Sequence, residues 1–298
     1  MASAYLEKIR NNPKRLMEDV IHGIFLFLGL IAVLSVLVIT VYLVISGLPA
    51  IKEIGIVDFL FGTRWASTAK DPSFGILPFI LTSIYGTAGA IIIGVPVGFF
   101  VAVYLSKMAG KKLRKTMELF IGVLSGIPSV IYGLVGMTVI VPAIRVIFDV
   151  PDGASLLAAI IVLSVMILPS VIKVSLSSLD AVPEEYEMAS LALGATETET
   201  YFRVTVPAAK SGIFTSIVLG IGRAIGEAMA IMMVAGNVAN MPGLFKSVRF
   251  LTTAVASEMS YSSGLQRQAL FSIALVLFFF IMLINATLNV IKKRSERI

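Results

Sequence analysis

Arg223 and Glu227 lie four residues apart in Gly220-Ile-Gly-Arg-Ala-Ile-Gly-Glu-Ala-Met-Ala230, inside an apolar stretch long enough to cross a membrane. A charge near the bilayer centre costs about 2.5 to 3.5 kcal/mol on insertion scales, so such residues face protein or a watery path and mark transport or relay sites. Positions four apart share a helix face. The alternating Gly and Ala leave room for a second helix or a ligand to approach the backbone. About ten residues into its span, roughly 15 Å along a helix, Arg223 is expected near the midplane, with Glu227 one turn further out. A planar guanidinium suits a tetrahedral oxyanion because it bonds two oxygens at once. The same pair also fits an interhelical lock that touches no substrate.

The chain around this pair is 298 residues, 57% hydrophobic and only 14% charged, so lipid must cover much of its surface. An all-α membrane protein follows, because backbone groups in hydrocarbon must be satisfied within the chain. Cysteine is absent and His22 is the only histidine, which removes disulfides, thiol nucleophiles, Ser-His triads and most zinc or haem sites. No metal and no cofactor are expected. A net charge of +6 would suggest nucleic acid in a soluble protein, but here the charge sorts by membrane side and no nucleic-acid partner is expected.

Six transmembrane helices are expected, over 21–46, 76–105, 119–146, 155–176, 213–238 and 270–291. The first run is too long for a signal-peptide core and reads as a retained span. Segments 1–20 and 21–298 are then a cytoplasmic N-terminal segment and one transmembrane domain. Sixteen lysines and arginines, from Lys8 through Lys107, Lys112 and Lys210 to Arg297, flank one side and seven flank the other. Both termini and a loop over 180–212 are therefore expected in the cytoplasm. The two long connections on the other side carry Phe59, Phe61, Trp65, Phe245 and Phe250, which could anchor at the headgroup level or dock a partner.

Gly94, Pro96 and Gly98 in the second span, Gly126-Ile-Pro128 and Pro142 in the third, and Pro169 in the fourth predict kinks. Freed backbone groups at membrane depth must be buried or line a cavity. Ser125, Ser129 and Tyr132 beside Pro128 are thus candidate walls of a pathway, although small residues at helix contacts serve packing as well.

The loop from Asp180 to Pro207 is amphipathic and too polar for lipid, and predicts two short helices with a sharp turn. Pro183 fits a first helical position, with Glu184 and Glu185 in the first turn. Gly194 can end that helix, Thr196 can cap the next with Glu199 completing a capping box, and Pro207 closes it.

This loop resembles the coupling motif of ABC-importer permeases: Glu-Ala-Ala, three residues, Gly, nine residues, Ile-x-Leu-Pro. The spacing from Gly194 to Pro207 matches, with Val204 and Val206 at the branched apolar positions and Ala189 in register. Met188 stands where the motif has glutamate, and Glu187 comes one residue early. A closer resemblance, to the C-type members of the Pst phosphate-specific permeases, is carried by Phe74-Gly-Ile-Leu-Pro-Phe-Ile80, Gly126-Ile-Pro-Ser-Val-Ile-Tyr-Gly133 and Gly222 to Ile231 running on to Gly236-Asn237.

That resemblance implies a MetI-like permease bundle in a prokaryotic inner membrane, paired with a second, homologous permease, two ATP-binding subunits and an external phosphate-binding protein. It places Arg223, Glu227 and Asn237 with the serines and Tyr132 on the substrate path, and residues 183–207 at the ATPase. Beside Arg223, a carboxylate would accept the proton that phosphate carries and sulfate lacks, or neutralise the arginine between transport events. The chain has no GxxxxGK[ST] loop, so it is read as a transporter subunit whose ATPase is a separate chain. A permease for molybdate or sulfate, or a proton-coupled secondary transporter, fits the buried charges too.

Overall fold

The computed structural model describes residues 13–295; Lys8, Arg10, Arg297 and the first twelve residues of the N-terminal segment lie outside the described residues. Helix α1, Pro13–Ile54, is one helix of 42 residues that begins before residue 21 and runs past residue 46. Its apolar side chains are exposed along the membrane-length window. It packs on α12, Gly264–Ser295, near Gly47, whose carbonyl accepts the Ser272 hydroxyl at 2.6 Å.

Between them, α2 (Ile56–Phe61), the two-residue strands β1 (Trp65–Ala66) and β2 (Ser73–Phe74), and α11 (Leu251–Glu258) form a cap. The strands pair antiparallel with Trp65 opposite Phe74. Phe59, Trp65 and Phe250 are buried in the protein rather than set at a lipid surface, while Phe61 is exposed. The Glu258 carboxylate gathers this cap, accepting from Trp65 Nε1 at 3.3 Å and Gln266 Nε2 at 3.1 Å and pairing with Arg249.

The centre is α3 (Leu77–Lys107) packed along α6 (Leu156–Asp180). Gly94 and Gly98 of α3 are buried where Ile167 and Val171 of α6 approach, and α3 stays one helix through Pro96. Among the described residues five helices are long and apolar enough to cross a membrane: Met17–Ile54, Leu77–Lys107, Ser129–Ile147, Leu156–Asp180 and Gly264–Ile291. A sixth is counted only if Glu197–Ala208 and Lys210–Gly226, bent by 71°, are taken as one span.

Two of the expected spans are broken. The third consists of α4 (Lys111–Gly126) and α5 (Ser129–Ile147). Arg114 of α4 pairs with Asp180 at the end of α6, and Ile121 is buried in one cluster with Ile172 and Leu176, so α4 lies along that half of α6. Gly136 of α5 meets Val162 in the other half. The fifth consists of α9 (Lys210–Gly226) and α10 (Met229–Val234). Helix α5 continues through Pro142. The proline ring would clash with the carbonyl four residues back, at Thr138, and the helix widens to a π segment over Gly136–Ile140.

Candidate functional site

The breaks have different causes. Pro128 lacks an N–H and forces Ile127 into an extended conformation, φ −68° and ψ 127°, so α4 cannot continue. The Leu124 carbonyl, which accepts the Ile127 N–H at 3.3 Å, also accepts the Tyr132 hydroxyl at 2.7 Å across the break. In the fifth span no proline is present. Glu227 is extended, φ −73° and ψ 131°, and its Oε1 accepts the Ala230 N–H at 2.9 Å, capping α10 as a short polar side chain caps a helix start. The Glu227 carbonyl accepts the Thr252 hydroxyl at 2.8 Å.

Arg223 and Glu227 therefore do not share a helix face: the helix ends between them, and no ion pair joins them among the described residues. The expectation of a continuous span failed because a carboxylate that satisfies a helix start competes with helix continuation. Arg223, half-buried in the last turn of α9, donates from Nη1 to Ser170 Oγ at 3.4 Å. Its charge lies within Coulombic reach of Tyr132 in the first turn of α5. Gly133 packs so closely on α10 that a Cβ there would stand 2.8 Å from Ala230 Cα. The start of α5 thus packs on α10, beyond the fifth-span break, and its Tyr132 lies within electrostatic reach of Arg223 before that break.

Ser125 and Ser129 flank the first break, half-buried, with no hydrogen bond from either side chain to another described residue. Asn237 stands apart, beyond the end of α10 with φ 58°, its Nδ2 donating to Met232 O at 2.6 Å and its Oδ1 buried without a partner. Ser170 was not anticipated from the sequence. The signal was its position next to Pro169, where a helix is already weakened.

At the end of α6 the chain forms the expected helical hairpin, α7 (Glu184–Ala192) and α8 (Glu197–Ala208). Pro183 sits one position earlier than expected, as the residue before the helix. Gly194 follows the last turn of α7 at φ 90°, the left-handed conformation that favours glycine. Thr196 and Glu199 form the capping box, and donation from the Thr196 N–H and hydroxyl holds the Glu199 carboxyl below the usual carboxylate range. Pro207 does not close α8 but lies in its last turn, preceded by a π segment over Tyr201–Thr205 around the carbonyl it would strike.

Glu187 turns inward, with Oε1 2.5 Å from Lys107 Nζ and accepting the Thr205 hydroxyl at 2.9 Å. Val204 and Val206 are half-buried, Val206 against the cluster that holds Leu105, Leu176 and Leu179, whereas Ala189 is exposed. Tyr186, Met188, Leu191, Leu193 and Phe202 leave an apolar surface open on the hairpin.

A model of the family described as binding-protein-dependent transport system inner membrane component matches residues 94–297. Over 266 residues the chain is 38% identical to the probable ABC transporter permease protein YqgH of Bacillus subtilis (strain 168), with 86% of each chain covered. It is 34% identical over 261 residues to the phosphate transport system permease protein PstC of Haemophilus influenzae, covering 80% of this chain and 82% of that one. In fold it is similar to a chain of the MetNI methionine ABC transporter in an inward-facing conformation, with a TM-score of 0.55, 21% identity, and coverage of 74% of this chain and 94% of that one.

Proposed function

The chain belongs to the family of binding-protein-dependent transport system inner membrane components, and on that premise we propose that it is the permease through which an ATP-driven importer moves inorganic phosphate. The observation that carries this reading is Arg223 at the end of a helix that breaks inside the fifth span, half-buried, held by Ser170 and without a carboxylate partner among the described residues. Discontinuous helices at mid-membrane expose backbone groups to a ligand, and helix starts there favour anions. The first N–H groups of α5, at Ser129 and Val130, have no partner within their helix and follow the break at Pro128.

Among the described residues Arg223 is not neutralised by a carboxylate, so its guanidinium is open to an oxyanion. Ser170 supplies a hydroxyl beside it, and Ser125, Ser129 and Tyr132 at the Pro128 break are assigned to the same path. Glu227 has one oxygen committed to α10 and a second free to accept the proton of hydrogen phosphate. Asn237 contributes at the far end of the span only through Oδ1, which likewise accepts from a protonated phosphate.

The partners follow from the same reading. The open apolar surface of α7 and α8 suits a groove on an ATP-binding subunit, one such subunit for this chain and one for a second, homologous permease. An external phosphate-binding protein delivers the anion to the capped end, and the hairpin end faces the cytoplasm.

The test is uptake by the complex purified through this chain and reconstituted in vesicles with ATP inside. Phosphate uptake that excess sulfate and molybdate do not suppress is the expected result. Uptake of sulfate or molybdate in its place would make the chain a permease for another oxyanion. Uptake driven by a proton gradient without ATP would make it a secondary transporter.

A further inference from the structure

Lys107 is the last residue of α3, and two separate bonds fasten the hairpin to it. Its ammonium meets Glu187 of α7 at 2.5 Å, and its carbonyl accepts the Tyr201 hydroxyl of α8 at 3.4 Å. The Glu187 oxygen that meets Lys107 also accepts the Thr205 hydroxyl of α8 at 2.9 Å. A further bond, between the Ser190 and Thr200 hydroxyls at 2.9 Å, ties α7 to α8. Both helices of the hairpin thus converge on one residue of a helix to which neither is covalently adjacent.

The Lys107 and Glu187 side chains are 14% and 19% exposed. An ion pair so sheltered from water is little screened, and removing one partner leaves the other charge buried without compensation. Glu187 is therefore not aimed outward at a partner protein. From Lys107, α3 runs the length of α6, which carries Ser170, and packs on α9, which carries Arg223.

We infer that Lys107 is a positioning residue that carries movement of the hairpin directly into α3, in addition to the covalent routes through α6 and α9. This rests on the transporter reading given above. A push on the hairpin then shifts α3 and α6 as one body, rather than only bending the two chain crossings at Val182 and Ala209, which are buried in the same cluster as Leu105.

The chain has no cysteine, so a nitroxide pair can be placed by Phe100→Cys and Thr198→Cys, both at exposed positions. In the complex in lipid nanodiscs, the inter-label distance is expected to be narrow in the parent, broad with Lys107→Met, and narrow again in the exchange Lys107→Glu with Glu187→Lys. In vesicles, phosphate moved per ATP hydrolysed is expected to fall about fivefold or more with Lys107→Met and to recover in the exchange. A distance that stays narrow with Lys107→Met overturns the latch. A broadened distance with unchanged phosphate per ATP overturns the transmission role. A parent complex that shows the narrow distance and hydrolyses ATP but moves no phosphate overturns the transporter reading, and the transmission role with it.

Discussion

The Arg223 guanidinium reaches Ser170 on the neighbouring helix, Nη1 to Oγ 3.4 Å, and has no carboxylate partner among the described residues. A cation held by a neutral hydroxyl keeps its charge for a ligand, whereas one locked to Glu227 would not. Arg223→Lys retains the charge but loses the planar fork, and Ser170→Ala removes the hydroxyl that orients it. Phosphate uptake is predicted to drop roughly 10²-fold for Arg223→Lys, the scale of a 1 Å misplacement of a binding group, and less for Ser170→Ala. Initial uptake rates across a phosphate titration check this.

Gly133 lies where α5 touches the backbone of α10. A leucine there must push the two half-helices apart, because a backbone atom cannot swing aside as a side-chain tip can. Gly133→Leu is predicted to destabilise the purified protein by about 1 to 3 kcal/mol, the usual cost of overpacking, and to abolish uptake by separating Arg223 from Tyr132. A thermal melt in detergent, with uptake measured alongside, tests both parts.

Gly194 is different, since open space surrounds the position and only its backbone angle is special. Gly194→Val is predicted to strain the turn by about 1 to 3 kcal/mol, while Gly194→Asn, a residue that tolerates φ > 0, is mild. Comparing ATP hydrolysis with uptake in the assembled complex should show the two uncoupled by valine and coupled with asparagine.

Membrane sidedness follows from charge. Labels near Lys112 and Thr198 are predicted to be reachable from the cytoplasm, and labels near Lys70 and Ser247 only from outside. Labelling of single-cysteine variants in intact cells and inverted vesicles decides it. Thr198 labelled from outside would leave no route for an ATPase to the hairpin.

The hairpin with its Gly194 turn and its Thr196–Glu199 capping box, and a departure from straight helix at Pro128, were legible because each rests on local backbone chemistry. The break at Glu227 was not. Its sequence reads as an unbroken small-residue helix, and only the carboxylate folding back onto the Ala230 N–H ends it. Ser170, Lys107 and the Glu258 hub were equally hidden. Each depends on a partner 50 or more residues distant in the chain, as in Arg223–Ser170, Lys107–Glu187 and Trp65–Glu258. Trp65 misled for a related reason, because an aromatic residue in a loop suits a lipid interface until the loop folds over it.

The exchange variant Arg223→Glu with Glu227→Arg separates a substrate-binding arginine from a purely structural one. It keeps the composition and net charge while moving the guanidinium from the end of α9 to the joint that caps α10. Because the two side chains are not paired, the double-mutant cycle is predicted to show an interaction term within about 0.5 kcal/mol of zero in stability. The expected result is an assembled complex that hydrolyses ATP and takes up no phosphate. Substantial phosphate uptake by the exchanged protein would contradict it and remove Arg223 from the substrate path.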